Sequence, residues 1–127
     1  MAGMSARTVH LACLCAAWCR LCDDYAKVID DVKRDPAWRD ADLRWHWIDI
    51  EDEADLVGDF DVETFPTWVI ADARGVRFAG ALEPQPDTLR RLLRATLLQA
   101  DGPTPVVAPE AIAFAERLRT ERERPRH

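Results

Sequence analysis

The stretch CLCAAWCRLCDDY, residues 13 to 25, places all four cysteines of the chain within ten positions, with Trp18 and Arg20 among them. Cysteines so clustered serve a metal site, a redox pair or a phosphate-binding catalytic loop, and each asks for different partners. The phosphate loop needs an arginine six positions after its cysteine. Cys19 stands six beyond Cys13, and Leu21 six beyond Cys15, so Arg20 is out of register with both. A tetrahedral zinc site needs four converging ligands. Cys19 and Cys22 have the spacing of one half of such a site. Cys13 and Cys15 share one face of a strand with little freedom to reach the same ion, and His10, His46 and His127 show no paired ligand spacing.

The flanking pattern says where the cysteines stand. TVHLACLCA (8 to 16) is apolar on both faces, as a strand buried in a sheet must be. From Cys19 the period changes: Cys22, Tyr25, Ala26, Ile29 and Val32 form the apolar stripe of an amphipathic helix. That helix should end near Asp35-Pro36, because the residue before proline resists helical backbone. LRWHWIDI (43 to 50) reads as a second strand, and residues 52 to 60 as a short acidic helix. TWVIAD (67 to 72) and VRFAGA (76 to 81), joined by Ala73-Arg74-Gly75, read as an antiparallel hairpin. Pro84-Gln85-Pro86 is a stop. Asp87 then serves as N-cap of a helix carrying Leu89, Leu92, Leu93, Thr96 and Leu97 on one side. A linker with Pro103, Pro105 and Pro109 leads to a last helix around 109 to 123, with Ala111, Ile112, Ala115 and Leu118 as its apolar positions. The order β-α-β-α-β-β-α predicts an α/β fold, a central mixed β-sheet with helices on both faces.

Cys19-Arg20-Leu21-Cys22 therefore lies where a buried strand hands over to a helix. Free backbone N–H groups at a helix start can hold a negative sulfur at Cys19, with Arg20 adding positive charge. Cys22, one turn on and on the apolar stripe, is shielded. An exposed thiol followed three residues later by a buried one suits disulfide exchange: the first attacks a substrate disulfide and the second resolves the mixed disulfide. Further along, Thr64-Phe65-Pro66-Thr67 precedes a strand, where an X-Pro bond is able to be cis.

With these two signals in order, the chain resembles the thioredoxin family over roughly residues 8 to 99. WCRLC stands where the family has its tryptophan-preceded CxxC. DFDVETFPTWVI is similar to the segment with the family's cis-proline, and RGVRFAGALE to the following hairpin. The resemblance implies a thioredoxin-like fold lacking the family's first strand and helix and carrying an extra C-terminal helix. It implies a thioredoxin-like domain over 1–100, with 101–127 a proline-containing linker, helix and tail. Cys19 would be the nucleophile and Cys22 the resolving cysteine, forming a redox-active Cys19–Cys22 disulfide, with no bound cofactor and no metal. Pro66 would be the cis-proline facing that disulfide. The backbone of Thr64 and Phe65 would receive an extended substrate segment by strand-like pairing, and Trp18, Arg20, Phe65 and Gly80 would border it. Several positions depart from the family: Arg20-Leu21 replaces its Gly-Pro, Cys13 its buried aspartate, Cys15 a tryptophan, and Trp47 a lysine near that aspartate. Cys13 and Cys15 read as small buried hydrophobes, with an auxiliary redox or metal role as the alternative, and Trp38, Trp45, Trp47 and Trp68 as packing residues.

The whole composition limits the partners. A chain of 127 residues with 48% hydrophobic residues supports one domain with its own core. The net charge of −6 lacks the basic stripe that nucleic acid requires. Residues 49 to 63, with eight acidic groups and no basic one, read as a solvated face. No apolar run approaches bilayer length. The N-terminal MAGMSARTVHLACLCAAW reads as unprocessed, since a cut after Ala12 would destroy the first strand. The expectation is a cytoplasmic monomer, acting on protein disulfides and re-reduced by a reductase or a small thiol. Two other readings stay open: a redox-inactive adaptor of the same fold, and a metal-binding protein built on the cysteine cluster.

Overall fold

Strand β1 (Val9–Cys15) is buried at every position, which is possible only in the middle of a sheet covered on both faces. A computed structural model describes residues 8–16, 19–98 and 105–123. In it β1 lies between β2 (Leu43–Asp49), parallel to it, and β3 (Thr67–Asp72), antiparallel to it. β4 (Gly75–Ala81) pairs antiparallel with β3 at the far edge, giving the order β2-β1-β3-β4. The β3–β4 ladder slips between Ile70 and Ala71. Phe78 faces Ile70 while Val76 faces Ala71, so Arg77 is the extra residue of a bulge. Its guanidinium donates through Nε to Asp72 Oδ2 at 2.9 Å, with both side chains almost wholly buried.

Alternation along the strands sends two sets of side chains to opposite faces. Val9, Leu11, Cys13 and Cys15 of β1 join Trp68 and Ile70 of β3 on the first face. It is covered by α1 (Arg20–Lys33), through Cys22, Tyr25, Ile29 and Val32, and by α3 (Pro86–Leu98), through Leu89 and Leu93. Trp68 sits at the centre of this layer, edge-on to Tyr25 and Trp45, and its Nε1 donates to Tyr25 Oη at 3.0 Å. Helix α1 stops ahead of Pro36 as its sequence requires. Asp35 caps the 3-10 turn Pro36–Trp38 by accepting from Ala37 N, and also accepts from Arg90 of α3 at 3.2 Å. One cap falls elsewhere than expected. Pro86 opens α3 and Asp87 lies inside the first turn, because proline's missing N–H is harmless at a first helical position.

The second face takes Ala12 and Leu14 of β1, Ile48 of β2, and Val69 and Ala71 of β3. The short helix α2 (Ala54–Val57) and the C-terminal helix α4 (Pro109–Glu123) cover it. Phe114, Ala115 and Leu118 of α4 are buried, and Phe114 stacks on Phe60 with ring centroids 5.7 Å apart. Ile112, expected among the apolar positions, is 43% exposed, because Ala111, Phe114, Ala115 and Leu118 already form the inward stripe. Arg117 ties this helix to the sheet's loops: Nε donates to Leu56 O and Nη2 to Val57 O, both at 2.8 Å. That closes the C-terminus of α2, where Gly58 turns the chain at φ +59°. Most of the expected linker, and the 124–127 end, lie outside the described residues.

Candidate functional site: the cysteine cluster

The site forms where β1 ends and α1 begins. Cys19 is the N-cap of α1, with extended backbone at φ −89° and ψ 111°. Its N–H donates to Ala16 O at 3.0 Å and its carbonyl accepts from Cys22 N at 3.1 Å. The cap geometry leaves its side chain half-exposed as a free thiol. Leu21 is also exposed, at 43%, and Arg20 beside it is exposed. One turn into the helix the stripe turns Cys22 inward, where it is buried.

Cys22 meets the end of the strand rather than Cys19. Its Sγ is bonded to Cys15 across a Cα–Cα distance of 6.1 Å, within the usual span of a disulfide. Cys13 and Cys19 are free. Two sequence expectations are corrected here. The disulfide of this structure is Cys15–Cys22, not Cys19–Cys22, and Cys15 is a bonded cysteine rather than a plain core residue. The cause is the shared face: Cys13 and Cys15 both point from β1 toward α1, and α1 presents Cys22 to that layer. The β1 alternation puts Cys15 and the stripe of α1 in one layer, though it does not say which side chains of that layer meet.

Cys13 lies beside the bond, with its Sγ 3.9 Å from Cys15 Sγ. Because Cys15 carries no proton in the disulfide, Cys13 is the S–H donor of this contact. Burial pushes the Cys13 thiol far up from its ordinary value, so it stays protonated. Cys13 also lines a small cavity between α1 and β2, together with Lys33, Trp45 and Trp47. On the opposite face His10 Nδ1 and His46 Nε2 are 2.9 Å apart in nearly parallel stacked rings. Burial, then the neighbouring His10, Arg122 and Arg44, push the His46 imidazole down to about 4.

The second sequence segment lies at the start of β3. The Phe65-Pro66 peptide is cis and Pro66 is buried, its carbonyl accepting from Leu82 N at 3.2 Å. Phe65 and Cys19 pack against the same core layer that holds Cys15 and Cys22. Thr64 is exposed and Gly80 pairs with Trp68 across the hairpin; Thr64 and Gly80 line a shallow concavity with Phe60, Val106 and Val107. Trp18 lies outside the described residues. Among the described residues no group of three or more histidine, cysteine or acidic side chains is arranged to hold a metal ion, and no helix is long and apolar enough to cross a membrane.

No protein-family model matches the chain, and neither does any curated protein. Solved structures do. Thioredoxin from Trypanosoma brucei brucei is 20% identical with a TM-score of 0.60, over 76% of this chain and 81% of its own. The germline-specific thioredoxin Deadhead from Drosophila melanogaster is 15% identical with a TM-score of 0.60, over 74% and 86%. A mutant thioredoxin from Halobacterium salinarum is 21% identical with a TM-score of 0.58, over 82% and 81%. A four-stranded mixed sheet with helices on both faces, superposing on these proteins over most of their length, gives this chain the thioredoxin fold.

Proposed function

We propose that the chain is a thiol–disulfide oxidoreductase acting on protein disulfides. The observation that carries this reading is the position of the pair. Cys19 is a free, half-exposed thiol at the start of α1, and Cys22 is buried one turn behind it. In the reduced protein the Cys19 thiolate attacks one sulfur of a substrate disulfide and expels the other as a thiolate. The Cys22 thiolate then attacks Cys19 Sγ and expels the second substrate sulfur. The substrate gains two electrons, and two thiols of the chain become one disulfide. No bound cofactor takes part; the electrons return from a separate reductase or a small thiol in a reducing, cytoplasmic setting. Thr64, Phe65 and Pro66 lead into β3 and would align an extended substrate segment, with Trp18, Arg20 and Gly80 bordering it. Exposed Leu21 adds apolar surface next to Cys19.

Insulin reduction with dithiothreitol, or with a thioredoxin reductase, tests the reading. The wild-type chain should accelerate precipitation of the insulin B chain and Cys19→Ser should not. A wild-type rate equal to the uncatalysed one would leave the fold without this activity.

A further inference from the structure

We propose that Cys15 is a third redox-active cysteine, which takes Cys22 from Cys19 after exchange, so that the oxidised chain stores its disulfide in the core and recovers Cys19 as a free thiol. The proposal rests on the exchange reading above and extends it by one step. Cys22 is the residue common to both pairings: it lies one helical turn from Cys19 and is bonded to Cys15. The same structure that holds the Cys15–Cys22 bond leaves Cys19 free at the surface.

The chemistry balances without an added oxidant. Substrate exchange leaves a Cys19–Cys22 disulfide. The Cys15 thiolate attacks Cys22 Sγ, forming Cys15–Cys22 and breaking Cys19–Cys22. The Cys19 sulfur leaves as a thiolate and takes a proton from solvent, replacing the one Cys15 lost. One S–S bond forms as one breaks, so the step moves the oxidation inward without changing its extent.

The direction follows from where charge can be placed. The expelled sulfur of Cys19 is half-exposed, so water receives its negative charge. The reverse step expels Cys15 inside the core, where charge lacks solvent, so reopening is the slower direction. The Cys13 S–H, 3.9 Å from Cys15 Sγ, is a donor already in place for the Cys15 thiolate that makes the attack. Cys15 and Cys22 are 0% and 1% exposed, so small thiols do not reach the stored bond directly. It reopens when the Cys19 thiolate attacks Cys22 in reverse, which makes Cys19 the gate in both directions.

The test exploits the sequence: cleavage after Arg20 separates Cys22 from the other three cysteines. Reduced protein is oxidised with one equivalent of glutathione disulfide, quenched over time by alkylation, cut with trypsin, and the linked peptides are mapped by mass spectrometry. Wild type should show Cys19–Cys22 first, giving way to Cys15–Cys22 with Cys19 alkylated. Cys15→Ala should stop at Cys19–Cys22. Cys19→Ser should form Cys15–Cys22 at least tenfold more slowly. Wild type that ends with Cys19–Cys22 as its stable bond overturns the relay and leaves the exchange reading intact. A Cys19→Ser variant that oxidises at the wild-type rate also overturns it. Failure of Cys15→Ala to form any Cys19–Cys22 bond, while wild type still forms Cys15–Cys22, would count against the exchange reading itself.

Discussion

Phe114→Ala tests whether the C-terminal helix belongs to the core. Phe114 is 0% exposed and stacks on Phe60 in the layer made by Leu14, Ile48, Val69 and Leu118. Burying a side chain of this size stabilises by ~1.5–3 kcal/mol in transfer alone. The cavity left by truncation raises the loss to about 3–5 kcal/mol for Phe→Ala in a packed core. For a domain of this length each kcal/mol moves Tm by roughly 3–5 °C, so the variant should melt about 10–20 °C lower. The assay is urea unfolding followed by circular dichroism, with the midpoint falling at an unchanged slope. Ile112→Ala is the control. Two residues earlier on the same helix but largely exposed, it should cost no more than about 0.5 kcal/mol. The reasoning fails if Phe114→Ala costs under about 1 kcal/mol, or if Ile112→Ala costs as much.

Three further outcomes follow from other contacts. Gly58→Ala should destabilise by about 1–3 kcal/mol, since φ is +59° and the added Cβ would lie 2.5 Å from Arg117 Nη2; a Tm equal to wild type would show that the turn relaxes freely. Asp72→Ala removes the carboxylate that Arg77 Nε donates to and should cost roughly 3–5 kcal/mol by chemical denaturation, whereas a loss below ~1 kcal/mol would mean that the guanidinium is held by water or by another group. The folded chain resists the proton that His46 accepts near its ordinary value of 6.5 once unfolded, because burial and its cationic neighbours hold it down to about 4. Stability should therefore be full above pH ~6.5 and decline as pH falls toward ~4, by about 1–2 kcal/mol for a half-buried ring screened by solvent. His46→Gln should flatten that limb of the Tm–pH curve, and an unchanged limb would place the acid sensitivity elsewhere.

The framework was legible in the sequence because its signals are local. VHLACLC is apolar on both faces, Cys22, Tyr25, Ile29 and Val32 recur at helical spacing, and Ala73-Arg74-Gly75 interrupts an alternating pair of strands. What escaped depends on geometry between elements. The Cys15–Cys22 bond crosses from a strand to the helix after it, and neither period shows that the two side chains meet. The His10–His46 contact depends on the parallel register that sets Ala12 opposite His46. In α4 the five residues from Ala111 to Ala115 are all apolar, so no face stands out and packing against Phe60 and Val76 selects Phe114 over Ile112. Asp87 resembled a cap by composition, yet the proline before it starts the helix.

The most direct measurement of the central claim is the capture of a substrate by the Cys22→Ala variant. With the resolving sulfur removed, Cys19 attack on a protein disulfide such as insulin's should stop at a mixed disulfide. It would be visible as a reducible adduct on a non-reducing gel and map by mass spectrometry to Cys19. An adduct at Cys19 that Cys19→Ser abolishes is the predicted result. No adduct at any substrate concentration, or an adduct carried by Cys13 or Cys15 instead, would contradict it.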